Sequence, residues 1–227
     1  MGKAYLSEDQ DGLLITDGVL SLRADFSSMR QRIRPGRLRS EILLRAAGIK
    51  GGRAMVPGDG GERPLRVADA TAGLGEDALL LAAAGCEVLL FERDPVIAAL
   101  LRDALRKAMS DEELKEAASR MTLREADSIA ELPLLKGRVD VVLLDPMLPE
   151  RQKSGLVGKK FQLLHLIEQP CADEEALFAA AEAAEPGRIA VKRPLKGPHL
   201  AGRRPDYALF GKAIRYDCYL YPEWKMR

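Results

Sequence analysis

Residues 65–92 read LRVADATAGLGEDALLLAAAGCEVLLFE. Leu65–Asp69 has the short apolar pattern of a buried strand. Gly75–Ala84 is rich in Ala and Leu, as a helix would be, and Gly85 stops it. Cys86–Glu92 (CEVLLFE) is a second buried strand. Strand, tight glycine turn, helix and strand in this order predict a parallel pair joined by a helical crossover. The pattern then repeats outward. Pro95–Met109 predicts a helix with proline in its first turn. Thr122–Ala126 and Val139–Leu144 (VDVVLL is residues 139–144) predict further strands, and Asp173–Glu185 a helix. Arg188–Lys192 predicts a fifth strand, and the alternation over Tyr207–Tyr221 a terminal antiparallel hairpin. The expected fold is α/β, with a doubly wound, mostly parallel sheet that ends in the antiparallel hairpin. Its ligands should sit beyond the carboxyl ends of the strands.

The first 60 residues read differently. Gly12–Phe26 predicts a hairpin turning at Asp17-Gly18, followed by an arginine-rich stretch and a short helix over Ser40–Ala47. Gly51–Gly61 is rich in Gly and Pro and marks an expected boundary. The division is a basic N-terminal lobe, 1–60, and a catalytic domain, 61–227.

Asp69-Ala70-Thr71-Ala72-Gly73-Leu74-Gly75 lies where the first core strand hands over to its helix. Gly73 and Gly75 let the backbone pass close to a ligand. The spacing is not that of a dinucleotide fingerprint, and Asp69 with Glu76 and Asp77 would repel a pyrophosphate. The same field suits a cationic ligand, which points to S-adenosylmethionine. Glu92, closing the second strand, is placed to accept hydrogen bonds from a ribose diol. Arg93 would lie along the adenine, and Asp127-Ser128 after the third strand would meet its amino group. The fourth strand runs into Asp145-Pro146-Met147-Leu148-Pro149. An exocyclic amine has its lone pair delocalised into a ring. Methylating it requires acceptors that hold the amine in line, and Asp145 with the Pro146 carbonyl supplies two. Proline also removes a competing N–H donor. The motif resembles the D/N-P-P-Y/F signature of amino methyltransferases, with Met147 for the second proline and Leu148 for the aromatic residue.

Three segments carry a more specific likeness: DATAGLGEDALLLAAAGCEVLLFERDP (69–95), LLDPMLPERQKSGLVGKK (143–160) and AVKRP (190–194). Together they resemble the ribosomal RNA small subunit methyltransferase J family, over roughly residues 10–220. The resemblance implies methyl transfer to the exocyclic N2 of a guanosine in small-subunit (16S) ribosomal RNA. It implies that Glu76, Asp77, Glu92, Arg93, Asp127, Ser128 and Asp145 line the cofactor pocket.

The net charge of +1 predicts no partner, but its distribution does. Residues 23–53 hold nine Lys or Arg against Asp25 and Glu41. Arg30, Arg32, Arg34, Arg37 and Arg39 therefore form an expected phosphate-binding group. Arg151, Lys153, Lys159 and Lys160 form a second. Lys192 and Arg193, with Lys196, Arg203 and Arg204, form a third. The acidic stretches 111–116 and 173–185 are expected to face away. The expected partner is small-subunit ribosomal RNA or the assembled 30S subunit, with no membrane and no metal. The scattered Cys86, Cys171 and Cys218 fit a reducing compartment, Cys86 as a core residue. His165 and His199 are expected on the surface or in loops. Leu79–Ala84 is too short an apolar run to span a bilayer, and residues 1–10 lack a secretory pattern, so a cytoplasmic enzyme is expected. Three alternatives stay open: an amino methyltransferase acting on DNA adenine or protein glutamine, a non-catalytic RNA-binding assembly factor, and a nicotinamide oxidoreductase.

Overall fold

A computed structural model describes residues 4–50, 54–58, 61–146 and 173–221. The N-terminal segment begins with three antiparallel strands, β1 (Tyr5–Asp9), β2 (Gly12–Thr16) and β3 (Ser21–Leu22). The Asp17-Gly18 turn joins β2 to β3. The Asp17 carboxylate accepts from the Val19 and Leu20 amides at 2.9 and 2.7 Å. The arginine-rich stretch is not an open loop. Pro35 starts a new turn, so it winds into two short helices, α1 (Arg30–Ile33) and α2 (Pro35–Leu38), before α3 (Ile42–Ala46). The expected Gly/Pro loop is partly ordered as a two-stranded ribbon, β4 (Met55–Gly58) and β5 (Gly61–Pro64). Pro57 and Pro64 are tolerated there because each strand of a two-stranded ribbon is an edge.

The core follows as β6 (Arg66–Asp69), α4 (Glu76–Ala83), β7 (Glu87–Glu92), α5 (Pro95–Ala108), α6 (Lys115–Ala118), β8 (Met121–Glu125), α7 (Ser128–Glu131), β9 (Val141–Leu144), α8 (Glu174–Ala183), β10 (Arg188–Pro194), β11 (Tyr207–Phe210) and β12 (Ile214–Leu220). Seven strands form one sheet in the order β11-β12-β10-β9-β6-β7-β8. The pairs among β8, β7, β6, β9 and β10 are parallel, and β12 runs antiparallel to β10 and β11. The chain starts mid-sheet at β6, winds out to β8, and returns to β9 on the other side of β6. That reversal opens a crevice above the carboxyl ends of β6 and β9, where ligands bind in doubly wound sheets.

Two apolar layers cover the sheet. On one face Leu79, Leu80, Leu81, Ile97 and Leu101 from α4 and α5 pack with Val67, Val88 and Leu90. Ile15, Phe26, Met29, Leu38 and Leu43 of the N-terminal segment belong to the same cluster, so this segment shares the core it covers. Polar ties reinforce it: Asp103 on α5 accepts from the Leu13 amide at 3.1 Å, and Arg188 donates to the Ala46 carbonyl at 3.3 Å. On the other face Phe178, Leu177 and Ala181 of α8 pack on Val142, Leu144, Ile189 and Val191.

Candidate active site

Asp69 closes β6 and is only 2% exposed. Among the described residues its carboxylate has one hydrogen-bond partner, the Thr71 amide at 3.2 Å. Burial, with Asp77 and Asp145 nearby, pushes its pKa up to about 7. The turn that follows is shaped by Gly73 (φ +53°) and Gly75 (φ +78°), both left-handed. Gly75 has a packing reason as well. A Cβ there would come within 2.7 Å of Leu101 Cδ1 and 3.3 Å of Phe26 Cζ. Glycine thus lets α4 start flush against α5 and the N-terminal segment. Glu76 and Asp77 occupy the first turn of α4, where its dipole favours negative charge.

Glu92 closes β7, as expected, and is buried. Its two carboxylate oxygens accept from the Gly73 amide at 3.0 Å and the Asp94 amide at 2.8 Å. The same side chain therefore staples the glycine turn to the start of α5. Burial raises its pKa, opposed by those amides. Asp94, not singled out from the sequence, caps α5 by accepting from Val96 and Ile97 at 2.8 and 3.1 Å. Arg93 is exposed beside it. Asp127 caps α7 through the Ile129 amide at 2.9 Å, and Ser128 is buried at the start of that helix.

Asp145 stands at the end of β9, directly across the crevice from β6. Its amide donates to Thr71 Oγ1 at 2.6 Å, which ties the two strand ends together. Pro146 behind it is buried. Lys192 of β10 reaches between the loops. Its Nζ lies 2.8 Å from Asp77 Oδ2 and 2.8 Å from Asp145 Oδ2. Tyr216 on β12, register partner of Lys192, points its hydroxyl at Asp77 from 3.5 Å. Burial alone would lower the Lys192 pKa, but Asp77 and Asp145 outweigh it and hold the ammonium charged. Burial raises Asp145, with Lys192 opposing the rise. Thr71 and Tyr216 escaped the sequence reading because nothing in their local pattern marks them.

The expected RNA contacts divide. Lys192 belongs to the site interior, bridging two carboxylates. Arg193, its neighbour, points to the opposite face and is 1% exposed. It donates to the Pro198 carbonyl at 2.9 Å and pairs with Glu174 at 3.4 Å. The expectation that Arg193 reaches RNA is therefore corrected: alternation along a strand sends it into the core. Arg30 is half-buried and paired with Asp111 and Glu113, and Arg34 lies 3.6 Å from Glu113. The 111–113 segment thus turns toward the arginines rather than away. Arg32 forms a two-pronged pair with Glu41 at 2.8 and 3.0 Å. Its pKa is raised by that bond, with the negative charges of Asp77 and Glu76 adding to the effect. Arg37 and Arg39 are exposed. Arg151, Lys153, Lys159 and Lys160 lie outside the described residues. Cys86 is in the core, and His199 sits in a loop paired with buried Asp217 at 2.7 Å.

Against this geometry, comparison with known proteins decides the family. A family model described as "Putative SAM-dependent methyltransferase" matches residues 10–221. A ribosomal RNA small subunit methyltransferase J from Alkalilimnicola ehrlichii is 41% identical over 227 residues, spanning 95% of this chain and 81% of that protein. One from Thioalkalivibrio sulfidiphilus is 42% identical over 92% of this chain and 79% of its own. The chain belongs to the ribosomal RNA small subunit methyltransferase J family. The crystal structure of a SAM-dependent methyltransferase from Neisseria gonorrhoeae aligns with this family member at a TM-score of 0.74 and 30% identity, over 96% of this chain and 83% of that one.

S-adenosylmethionine is the cofactor of this methyltransferase J family member, and the residues fit it. Asp69, Asp77 and Asp145 crowd one crevice, where among the described residues the Lys192 ammonium is the cation paired with Asp77 and Asp145, so this cluster of carboxylates suits a cationic ligand. The cofactor supplies an electrophilic methyl group on a sulfonium centre. The chain's own groups would bind it, aim the acceptor and keep charge balanced. Among the described residues no group of three His, Cys, Asp or Glu is arranged to hold a metal, and no helix is long and apolar enough to cross a membrane.

Proposed function

We propose that this enzyme transfers a methyl group from S-adenosylmethionine to the exocyclic N2 amine of a guanosine in small-subunit ribosomal RNA, within the cytoplasm. The observation that carries this reading is the setting of Asp145. Its backbone is anchored by Thr71 and Oδ2 is held by Lys192, while Oδ1, which has no hydrogen-bond partner among the described residues, can accept from an incoming amine. The Pro146 carbonyl offers the second acceptor, with no N–H at that residue to compete. Asp69, Asp77 and Glu92 bind the cofactor from the β6 and β7 side, with Glu76, Arg93, Asp127 and Ser128 around them. The amine is thereby held in line with the methyl, an effect worth roughly 7–11 kcal/mol in well-oriented reactions. Nitrogen methylation makes the amine proton acidic, and it leaves to water. In this reading Asp145 orients the amine. The N-terminal lobe, with Arg32, Arg34, Arg37 and Arg39, grips phosphates beside the crevice.

The test is methyl transfer from labelled S-adenosylmethionine to 30S subunits and to naked small-subunit RNA, followed by nucleoside mass analysis. N2-methylguanosine is the expected product. N6-methyladenosine, or label in protein, would contradict the reading.

A further inference from the structure

Resting on the ribosomal RNA reading, we infer that Phe210, at the crevice end of edge strand β11, is a stacking platform for an unpaired base flanking the target nucleotide. Phe210 is 67% exposed at the end of a strand whose other apolar residues, Tyr207 and Leu209, turn into the core. Leu195, just after β10, is 37% exposed. Phe210 ends β11, Leu195 follows β10, and β12 pairs with both strands: Pro194 pairs with Ile214, and Phe210 with Arg215.

The ledge under them is rigid. Arg215 is buried, and its guanidinium donates to the carbonyls of Pro194, Leu195 and Gly197 at 2.8, 2.9 and 3.0 Å. Asp217 accepts from that guanidinium at 2.8 and 3.0 Å, and its Oδ2 also lies 2.7 Å from His199 Nδ1. A buried ion cluster is thus arranged to hold exposed apolar side chains in place.

The surroundings select the occupant. Residues 186–205 and 207–216 contain no acid. Lys196 and Lys212 flank the ledge, both exposed, with no carboxylate partner among the described residues. A Cβ on Gly211 would lie 3.8 Å from Ile42 Cδ1, so α3 abuts the β11–β12 turn. An exposed aromatic face with lysines in the adjoining turns is how proteins hold single-stranded nucleic acid: bases stack and phosphates pair. This platform would stand in for the aromatic residue that Leu148 replaces in the amine-binding motif, but one base away from the reacting one.

The experiment measures binding of a short fluorescein-labelled single-stranded oligoribonucleotide and of small-subunit ribosomal RNA across a salt series. Phe210→Ala should weaken both by about 5- to 100-fold, the range of a lost base stack, with an unchanged salt slope. Phe210→Tyr should restore affinity. Lys196→Ala combined with Lys212→Ala should instead lower the slope by about 0.7 per residue. S-adenosylhomocysteine affinity should be unchanged in all three, which excludes a folding defect. Parent-like RNA affinity in Phe210→Ala overturns the inference. So does loss of self-association by sedimentation with RNA binding intact, which would make Phe210 a contact between copies of this chain. Failure of the unsubstituted enzyme to methylate ribosomal RNA would instead strike the underlying reading.

Discussion

Asp140 and Asp145 flank the same strand, β9, and are treated in opposite ways. Asp140, at the amino end, is 1% exposed and fully answered. Arg63 grips it with two prongs at 2.5 and 2.8 Å, the Arg66 amide donates at 2.7 Å, and the Arg66 guanidinium stands 3.5 Å away. At the carboxyl end Asp145 and Asp77 share one ammonium among the described residues, Lys192, and Asp69 sits close to both acids. Burying a carboxylate is costly unless it is paired and hydrogen-bonded. The amino end meets that cost with arginine and stays structural. The carboxyl end leaves it partly unmet, which raises Asp69 to about 7 and leaves oxygens able to receive a cation or an amine.

The largest expected effect falls on the structural side. Asp140→Ala should cost about 2–3 kcal/mol of stability, because it strips Arg63 and the Arg66 amide of their acceptor. Urea unfolding would show a lower midpoint at similar slope. Loss of cofactor binding without loss of stability would erase the distinction between the two ends.

Lys192→Met tests the other end. It should lower kcat by about 10- to 100-fold, or about 1.4–2.7 kcal/mol. The acidic limb of the pH–rate profile should move to higher pH, since Lys192 opposes the burial-driven rise of Asp145. A variant with parent kcat and weaker RNA binding would return Lys192 to the role its sequence context suggests.

Asp69→Asn sharpens the comparison through pH. The folded state holds the Asp69 proton more tightly than the unfolded chain, whose value is near 3.8. Stability therefore falls as pH rises from about 4 to about 7, in proportion to proton uptake on folding. The asparagine variant should lack that decline. S-adenosylmethionine affinity should rise through pH 7 in the parent, as the carboxylate ionises, and stay flat in the variant. Calorimetry at several pH values reads this directly; matching profiles would remove Asp69 from the cofactor site.

The smallest effect per residue is on the surface. Replacing Arg32, Arg34 and Arg37 together by glutamine should flatten the salt dependence of RNA binding by about 0.7 for each phosphate that is no longer neutralised. Arg34, whose Glu113 partner lies 3.6 Å away, should contribute less than exposed Arg37. A slope equal to the parent's would make this segment a solvated face.

Much of this was legible in the residues themselves. Apolar runs bounded by Gly85, Pro95 and Asp145 located the strands of the large sheet and α4, α5 and α8 to within two residues, while α6 and α7, one turn each, left no such pattern; strand ends carried the acids. The Asp69 turn, Glu92 and Asp145 converge on one crevice as their order along a doubly wound sheet requires. What stayed hidden depends on pairing across the fold. Lys192 and Arg193 look alike in sequence, yet the pleat sends one into the crevice and the other into the core. Arg30 meets an acid 81 residues away. Tyr216 reaches Asp77 only because β12 folds back beside β10, which no local pattern records.

The most direct measurement is single-turnover methyl transfer to 30S subunits by Asp145→Ala and Asp145→Asn at saturating cofactor. If Asp145 orients the amine, the alanine variant is inactive with near-parent RNA affinity, because phosphates dominate that affinity. The asparagine variant then keeps partial activity, since an amide oxygen still accepts. An inert asparagine variant that binds cofactor normally would make Asp145 the base instead. Near-parent rates for the alanine variant would contradict the account of the active site altogether.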